Sequence, residues 1–165
     1  MKIHLACGKH ILHDWVNVDL VKHPAAEKDP ELLGVDVSKL PFEDNSASEI
    51  MGIHIFEHFY EWEIHDLLKE WYRVLSPGGT LILEMPDLLK SCRNILENPA
   101  NLKMGMWPLY GDNTLKDPLM CHKWAWTYET IKPYLIKAGF SKVKECNPLW
   151  HGKKVKRDFR VECIK

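Results

Sequence analysis

Residues 3–20 read IHLACGKHILHDWVNVDL. The apolar run at 3–7 predicts a short buried strand. WVNVDL, at 15–20, alternates and is rich in β-branched residues, which predicts a second. Between them, residues 9–14 are too few and too polar for a normal crossover helix. In an open α/β sheet, ligands bind beyond the C-terminal ends of the strands, near the point where strand order reverses. Small residues at the first strand's exit let a ligand approach the backbone, and Ala6, Cys7 and Gly8 supply them. An acidic residue ending the second strand can accept two hydrogen bonds from ribose hydroxyls, and Asp19 stands there. The dinucleotide fingerprint GxGxxG is missing, with only Gly8 in place. Pyrophosphate therefore lacks the helix N-terminus on which it usually docks. The pattern favours a ribose-bearing cofactor without phosphates and disfavours a nicotinamide dehydrogenase.

Working outward, residues 32–37 predict a third strand and 49–55 a fourth. EWEIHDLLKEWYRVL, at 61–75, is the clearest helix. Ile64, Leu67, Leu68, Trp71 and Leu75 form one apolar stripe, and Ser76-Pro77-Gly78-Gly79 stops it. TLILEM, at 80–85, is near-continuously apolar, as in the buried middle of a parallel sheet. Asp87 can cap a second helix and Thr127 another, which Gly139 ends. Pro133 inside that last helix predicts a late start or a kink, because an interior proline costs about 3 kcal/mol. Residues 98–123 lack a period and are too long for a simple connection, which predicts a mobile lid. SKVKECN (141–147) and RDFRVECIK (157–165) predict two final strands forming an antiparallel hairpin at the sheet edge. The basic run GKKVKR, at 152–157, reads as a solvent-facing turn. The whole chain, 1–165, is expected to form a single domain with a mostly parallel α/β sheet.

Composition narrows the class. At 165 residues the chain is long enough for one real core. A net charge of −1 gives no global field toward nucleic acid or an acidic membrane. The 5 cysteines are odd in number and show no CxxC spacing, so neither a disulfide framework nor a zinc knuckle is readable. A reducing cytosol is the expected compartment. No membrane contact is expected, since no apolar run approaches the length of a bilayer span.

LACG (5–8), DWVNVDL (14–20), DVSKLPFEDNSASEI (36–50), IHIFEHF (53–59) and LKEWYRVLSPGGTLILEMPDL (68–88) occur in this order. Together they resemble the successive motifs of class I S-adenosylmethionine-dependent methyltransferases, most closely the small type 11-like group. KWAWTYETIKPYLIKAGF (123–140) resembles that group's closing segment. The resemblance implies a Rossmann-like, doubly wound sheet of seven strands, the last antiparallel, with the first crossover helix short or missing. It implies that Ala6, Cys7 and Gly8 line the methionine side of S-adenosylmethionine and that Asp19 binds the ribose. Asp36 and Val37 would meet the adenine, by side chain and backbone respectively. Gly52, Ile53 and His54 would flank the methionine moiety and sulfonium. The sequence departs from the pattern at Ala6, where a glycine is common, and at His4, where relatives carry an acidic residue or asparagine.

On the acceptor side, His58, His122 and Tyr128 are the candidate proton acceptors or orienters, since histidine titrates near neutral pH. No metal is assigned. His54, Glu57 and His58 form an HxxEH string, but that motif requires a helix and a further ligand, and His54 reads as a strand exit. Glu57 and His58 read first as the opening of the next helix, where a glutamate suits the dipole, and second as acceptor-side groups. The implied reaction is methyl transfer to a small-molecule acceptor, with nucleic acid a less favoured partner. Rival readings are a catalytically silent cofactor-binding module and another S-adenosyl enzyme, an aminopropyl transferase or lyase, on the same fold.

Overall fold

The computed structural model describes residues 1–150 and 155–165. Its seven-stranded sheet has the order β3-β2-β1-β4-β5-β7-β6. The strands are β1 (Lys2–Leu5), β2 (Val16–Asp19), β3 (Leu32–Leu33), β4 (Ala47–Ile53), β5 (Leu75–Pro86), β6 (Ser141–Cys146) and β7 (Asp158–Ile164). The first five pair in parallel, and β7 runs antiparallel between β5 and β6. This is the expected Rossmann-like sheet with its closing antiparallel hairpin. Strand order reverses between β1 and β4, so the ends of β1, β2 and β4 frame the switch point.

Helices α1 (Ile64–Val74) and α4 (Tyr128–Lys137) cover one face. The α1 stripe of Ile64, Leu67, Leu68, Trp71 and Val74 joins Ile131 and Leu135 of α4 in the main core, against Ile3, Leu5, Ile50, Leu81 and Leu83 of the sheet. Leu75, expected as the last residue of the α1 stripe, is instead the first of β5. Asp87 caps α2 (Leu88–Glu97) by accepting from the Lys90 amide, and Thr127 caps α4 through a reciprocal pair with Thr130. Pro133 sits inside α4 without delaying its start. The capping box fixes the first turn ahead of the proline and offsets part of its cost. Residues 98–123 are less featureless than expected, since they hold the short helix α3 (Met106–Tyr110) and two single turns of 3-10 helix.

Alternation along the strands sends the next residues to the opposite face. There Met51, Ile53 and Ile82 are covered by Leu12, Trp15 and Trp150, which lie outside any helix. The first crossover has no helix, as expected. The side chain of buried Asn17 organises the 6–15 loop in its place. Its Oδ1 accepts from the Leu12 amide, and its Nδ2 donates to the carbonyls of Leu12 and Trp15. Those bonds satisfy backbone groups that a helix would have satisfied internally.

Residues 152–154 of the basic run lie outside the described residues. Arg157 departs from the solvent-facing expectation. It is largely buried, pairs with Asp158 and reaches His54.

Candidate functional site

The β1 exit turns sharply because Ala6 and Gly8 both take positive φ, 47° and 55°. A Cβ on Gly8 would meet only His23, at 3.8 Å, so the demand for glycine here is conformational. The turn brings Gly8 to the end of β2, where its N–H donates to Asp19 Oδ2 at 2.8 Å. Asp19 Oδ1 accepts more weakly from Val21, at 3.2 Å. Each carboxylate oxygen keeps further acceptor capacity. Cys7 is buried, and burial pushes its thiol up to about 12. It is therefore a small apolar lining residue and not a nucleophile at neutral pH.

Past β3, Asp36 turns its carboxylate back to the Ser38 amide. Val37 is buried, and its carbonyl accepts from the indole of fully buried Trp71 at 2.9 Å. Helix α1 thus positions the loop that would meet an adenine. The turn and carboxylate around Asp19 fit a ribose-bearing group: small residues on one side, an acceptor with spare capacity on the other.

The end of β4 is a second centre. Gly52 is packed so closely that an added Cβ would lie 2.8 Å from Ile55. His54 takes φ 53°, which turns the chain into the 3-10 turn Phe56–His58. Its Nδ1 lies 3.0 Å from Glu57 Oε1, and its Nε2 lies 3.4 Å from Asp158 Oδ2. Burial works against a charge on His54. The hydrogen bonds and charges of Asp158 and Glu57 outweigh it and raise the imidazole to about 9. Glu57 is nearly inaccessible; burial opposes its charge, yet His54 and the neighbouring histidines hold its carboxyl down at about 2.

His58 and His122 meet edge to face, with ring centroids 4.9 Å apart. His122 Nε2 lies 3.9 Å from Glu57 Oε1. The neighbouring residues Lys123 and Trp124 both donate backbone N–H groups to the Glu57 carbonyl, which delivers the end of the 98–123 segment to this spot. His58 and His122 are thus brought together as candidate acceptor-side residues. Tyr128 has a separate place: its hydroxyl donates to the Val143 carbonyl on β6, and its ring packs on the main core. Glu57, Arg157 and Asp158 were missed as site residues. The signal for Glu57 was a carboxylate embedded in the otherwise apolar and aromatic string IHIFEHF; for the other two, local sequence carried none.

Two surface hollows lie away from these strand ends. One is lined by Lys90 and residues 144–147, the other by residues of the 110–121 stretch.

Residues 5–83, which run from β1 into β5 and include Gly8, Asp19, Asp36 and the β4 exit, match the family described as a methyltransferase domain. Over that stretch, just under half of the chain, the sequence is similar to that family, and the whole chain takes the Rossmann-like fold of S-adenosylmethionine-dependent methyltransferases. Similar folds occur in a SAM-dependent methyltransferase from Archaeoglobus fulgidus (TM-score 0.67, 16% identity) and in one from Methanosarcina mazei (TM-score 0.66, 13% identity). In each case 99% of this chain is covered, with 85% and 91% of the other chain. The phosphoethanolamine N-methyltransferase 2 of Haemonchus contortus, solved with phosphomonomethylethanolamine and S-adenosylhomocysteine, matches at TM-score 0.63 and 13% identity. This chain spans 48% of that longer enzyme. At these identities the likeness is one of fold. No curated protein matches the chain in sequence.

Proposed function

We propose that this domain binds S-adenosylmethionine across the ends of β1, β2 and β4 and methylates a small-molecule acceptor. The observation that supports it best is the Gly8–Asp19 contact, within the family-matched stretch and at the topological switch point. Asp19 takes the ribose hydroxyls, and Ala6, Cys7 and Gly8 line the methionine side. The Asp36 carboxylate and the Val37 backbone face the adenine. Gly52, Ile53 and the backbone of His54 border the reacting end, since the His54 ring is turned to Glu57 and Asp158.

The cofactor supplies an already activated methyl group. What the chain adds is orientation and exclusion of water. The acceptor lies beside Glu57, His58 and His122, with segment 98–123 alongside. His58 and His122 are the groups placed to orient it or hold its proton; Tyr128, tied to β6, contributes packing. Isothermal titration with S-adenosylmethionine and S-adenosylhomocysteine tests the first half. Incubation with amine, thiol and hydroxyl acceptors, followed by mass spectrometry, tests the second. Methylated acceptor supports the reading. Binding without turnover on any acceptor favours a silent module, cleaved cofactor favours a lyase or aminopropyl transferase, and no binding overturns both halves.

A further inference from the structure

Glu57, His58 and His122 place one carboxylate oxygen and two imidazole nitrogens within 4.8 Å of one another. Among the described residues, Glu57 Oε2 and His58 Nδ1 are buried without a hydrogen-bond partner. Glu57 is only 2% exposed. A buried carboxylate oxygen and a buried imidazole nitrogen left unpaired each cost free energy unless a partner fills the site.

The surrounding bonds prepare two of the three groups, His122 and Glu57, as ligands. His122 Nδ1 lies 2.9 Å from the Pro108 carbonyl, which can only accept, so Nδ1 carries the proton and Nε2 keeps its lone pair. A backbone carbonyl behind an imidazole is a common outer partner of a metal-bound histidine. Glu57 Oε1 is held by His54, itself braced by Asp158, which leaves Oε2 as the free ligand atom. The two rings stand at 81° to each other.

We propose that Glu57, His58 and His122 bind one divalent first-row transition ion of the zinc class. Two imidazoles and one carboxylate are a borderline donor set that suits zinc or iron(II) over magnesium or calcium. Bonds of about 2.0–2.2 Å require the ligand atoms to draw together by roughly an ångström. Three protein ligands leave a coordination position open to water or to an acceptor heteroatom. Ion binding itself does not depend on the methyl-transfer reading. The consequence for chemistry does: a coordinated His58 or His122 no longer takes a proton, and the ion would activate the acceptor in its place.

The full chain, stripped with EDTA, is titrated with cobalt(II) followed by visible absorption, then with zinc(II) in competition. One equivalent is expected, with ligand-field bands that zinc abolishes. His58→Ala and His122→Ala should each weaken binding at least tenfold, while exposed His13→Ala should not change it. Circular dichroism checks that the variants fold. Long-range nitrogen–proton NMR on the wild type avoids substitutions altogether: zinc must shift His58 Nδ1 and His122 Nε2. No stoichiometric binding, unchanged affinity in His122→Ala, or unmoved nitrogens would overturn the inference. S-adenosylmethionine is titrated into the same samples. Cofactor binding without ion binding overturns this inference alone, and ion binding without cofactor binding overturns only the proposed function.

Discussion

Gly8 donates its backbone N–H to Asp19 Oδ2 at 2.8 Å, so the first two strand ends are tied by the same carboxylate that would receive a ribose. Asp19→Ala removes both roles. It should weaken S-adenosylmethionine binding by about 1.5–3 kcal/mol, the scale of hydrogen bonds to a charged group. Asp19→Asn retains one acceptor oxygen for the Gly8 amide and should lose less. Calorimetry on both variants checks this; wild-type affinity in Asp19→Ala would place the ribose elsewhere.

NAD should fail to displace S-adenosylmethionine at comparable concentration. The β1 exit leads into the loop that Asn17 organises, not into a helix whose N-terminus would hold pyrophosphate. A competition titration reads this directly, and equal displacement by NAD would count against the whole cofactor placement.

How much of this was legible depended on how local the cause was. The α1 stripe, the apolar β5 run and the Asp87 and Thr127 caps are local patterns, and they appear close to where the sequence put them. The strand expected at 32–37 shrinks to Leu32–Leu33, because backbone beyond it is spent on other partners. The Asp19 carbonyl accepts from Gly34 and Val35, and Asp36 closes its own turn. The Asp19 position could be read from the end of an alternating strand. The Glu57–His58–His122 cluster could not, because a fold contact brings His122 across from the aperiodic segment. The HxxEH string, read as no metal site, contributes two members of the cluster, Glu57 and His58. His54 braces Glu57 from outside, and the third converging group comes from the far segment.

Glu70 and Arg73 give a pH dependence away from the site. Glu70 accepts two bonds from Arg73 and one from the Leu40 amide, while Arg73 also donates to the carbonyls of Leu40 and Phe42. The pair clamps the chain entering β4. The Arg73 hydrogen bonds hold the Glu70 carboxyl below its usual value, outweighing partial burial. A depressed folded-state pKa contributes stability that is complete above the unfolded value of 4.5 and is lost as pH falls through the lowered one. Glu70→Gln should therefore cost about 1–2 kcal/mol at pH 7, allowing for its partial exposure. Urea titrations at pH 7 and below 4.5 should show the gap between variant and wild type closing with acid. A gap independent of pH would mean the clamp is steric.

The segment 98–123 should exchange its amide hydrogens unevenly. Between its short helices it makes mostly local turn bonds, such as Asn101 to Asn98 and Met120 to Asp117. Bonds of this kind open without disturbing the sheet and give little protection. Its end is different. Lys123 donates to the Glu57 carbonyl at 2.8 Å, with Trp124 sharing that acceptor at 3.3 Å, and His122 donates to Tyr110. In the free protein the amides of 98–121 should exchange fast and those of Lys123 and Trp124 slowly. Addition of cofactor together with an acceptor should slow the first group if the segment closes over the cleft, because closing lids gain bonds only in the closed state. Hydrogen exchange followed by mass spectrometry resolves the two groups. Uniform protection before any ligand is added would show a fixed wall, and unchanged exchange at saturation would show that closure happens elsewhere.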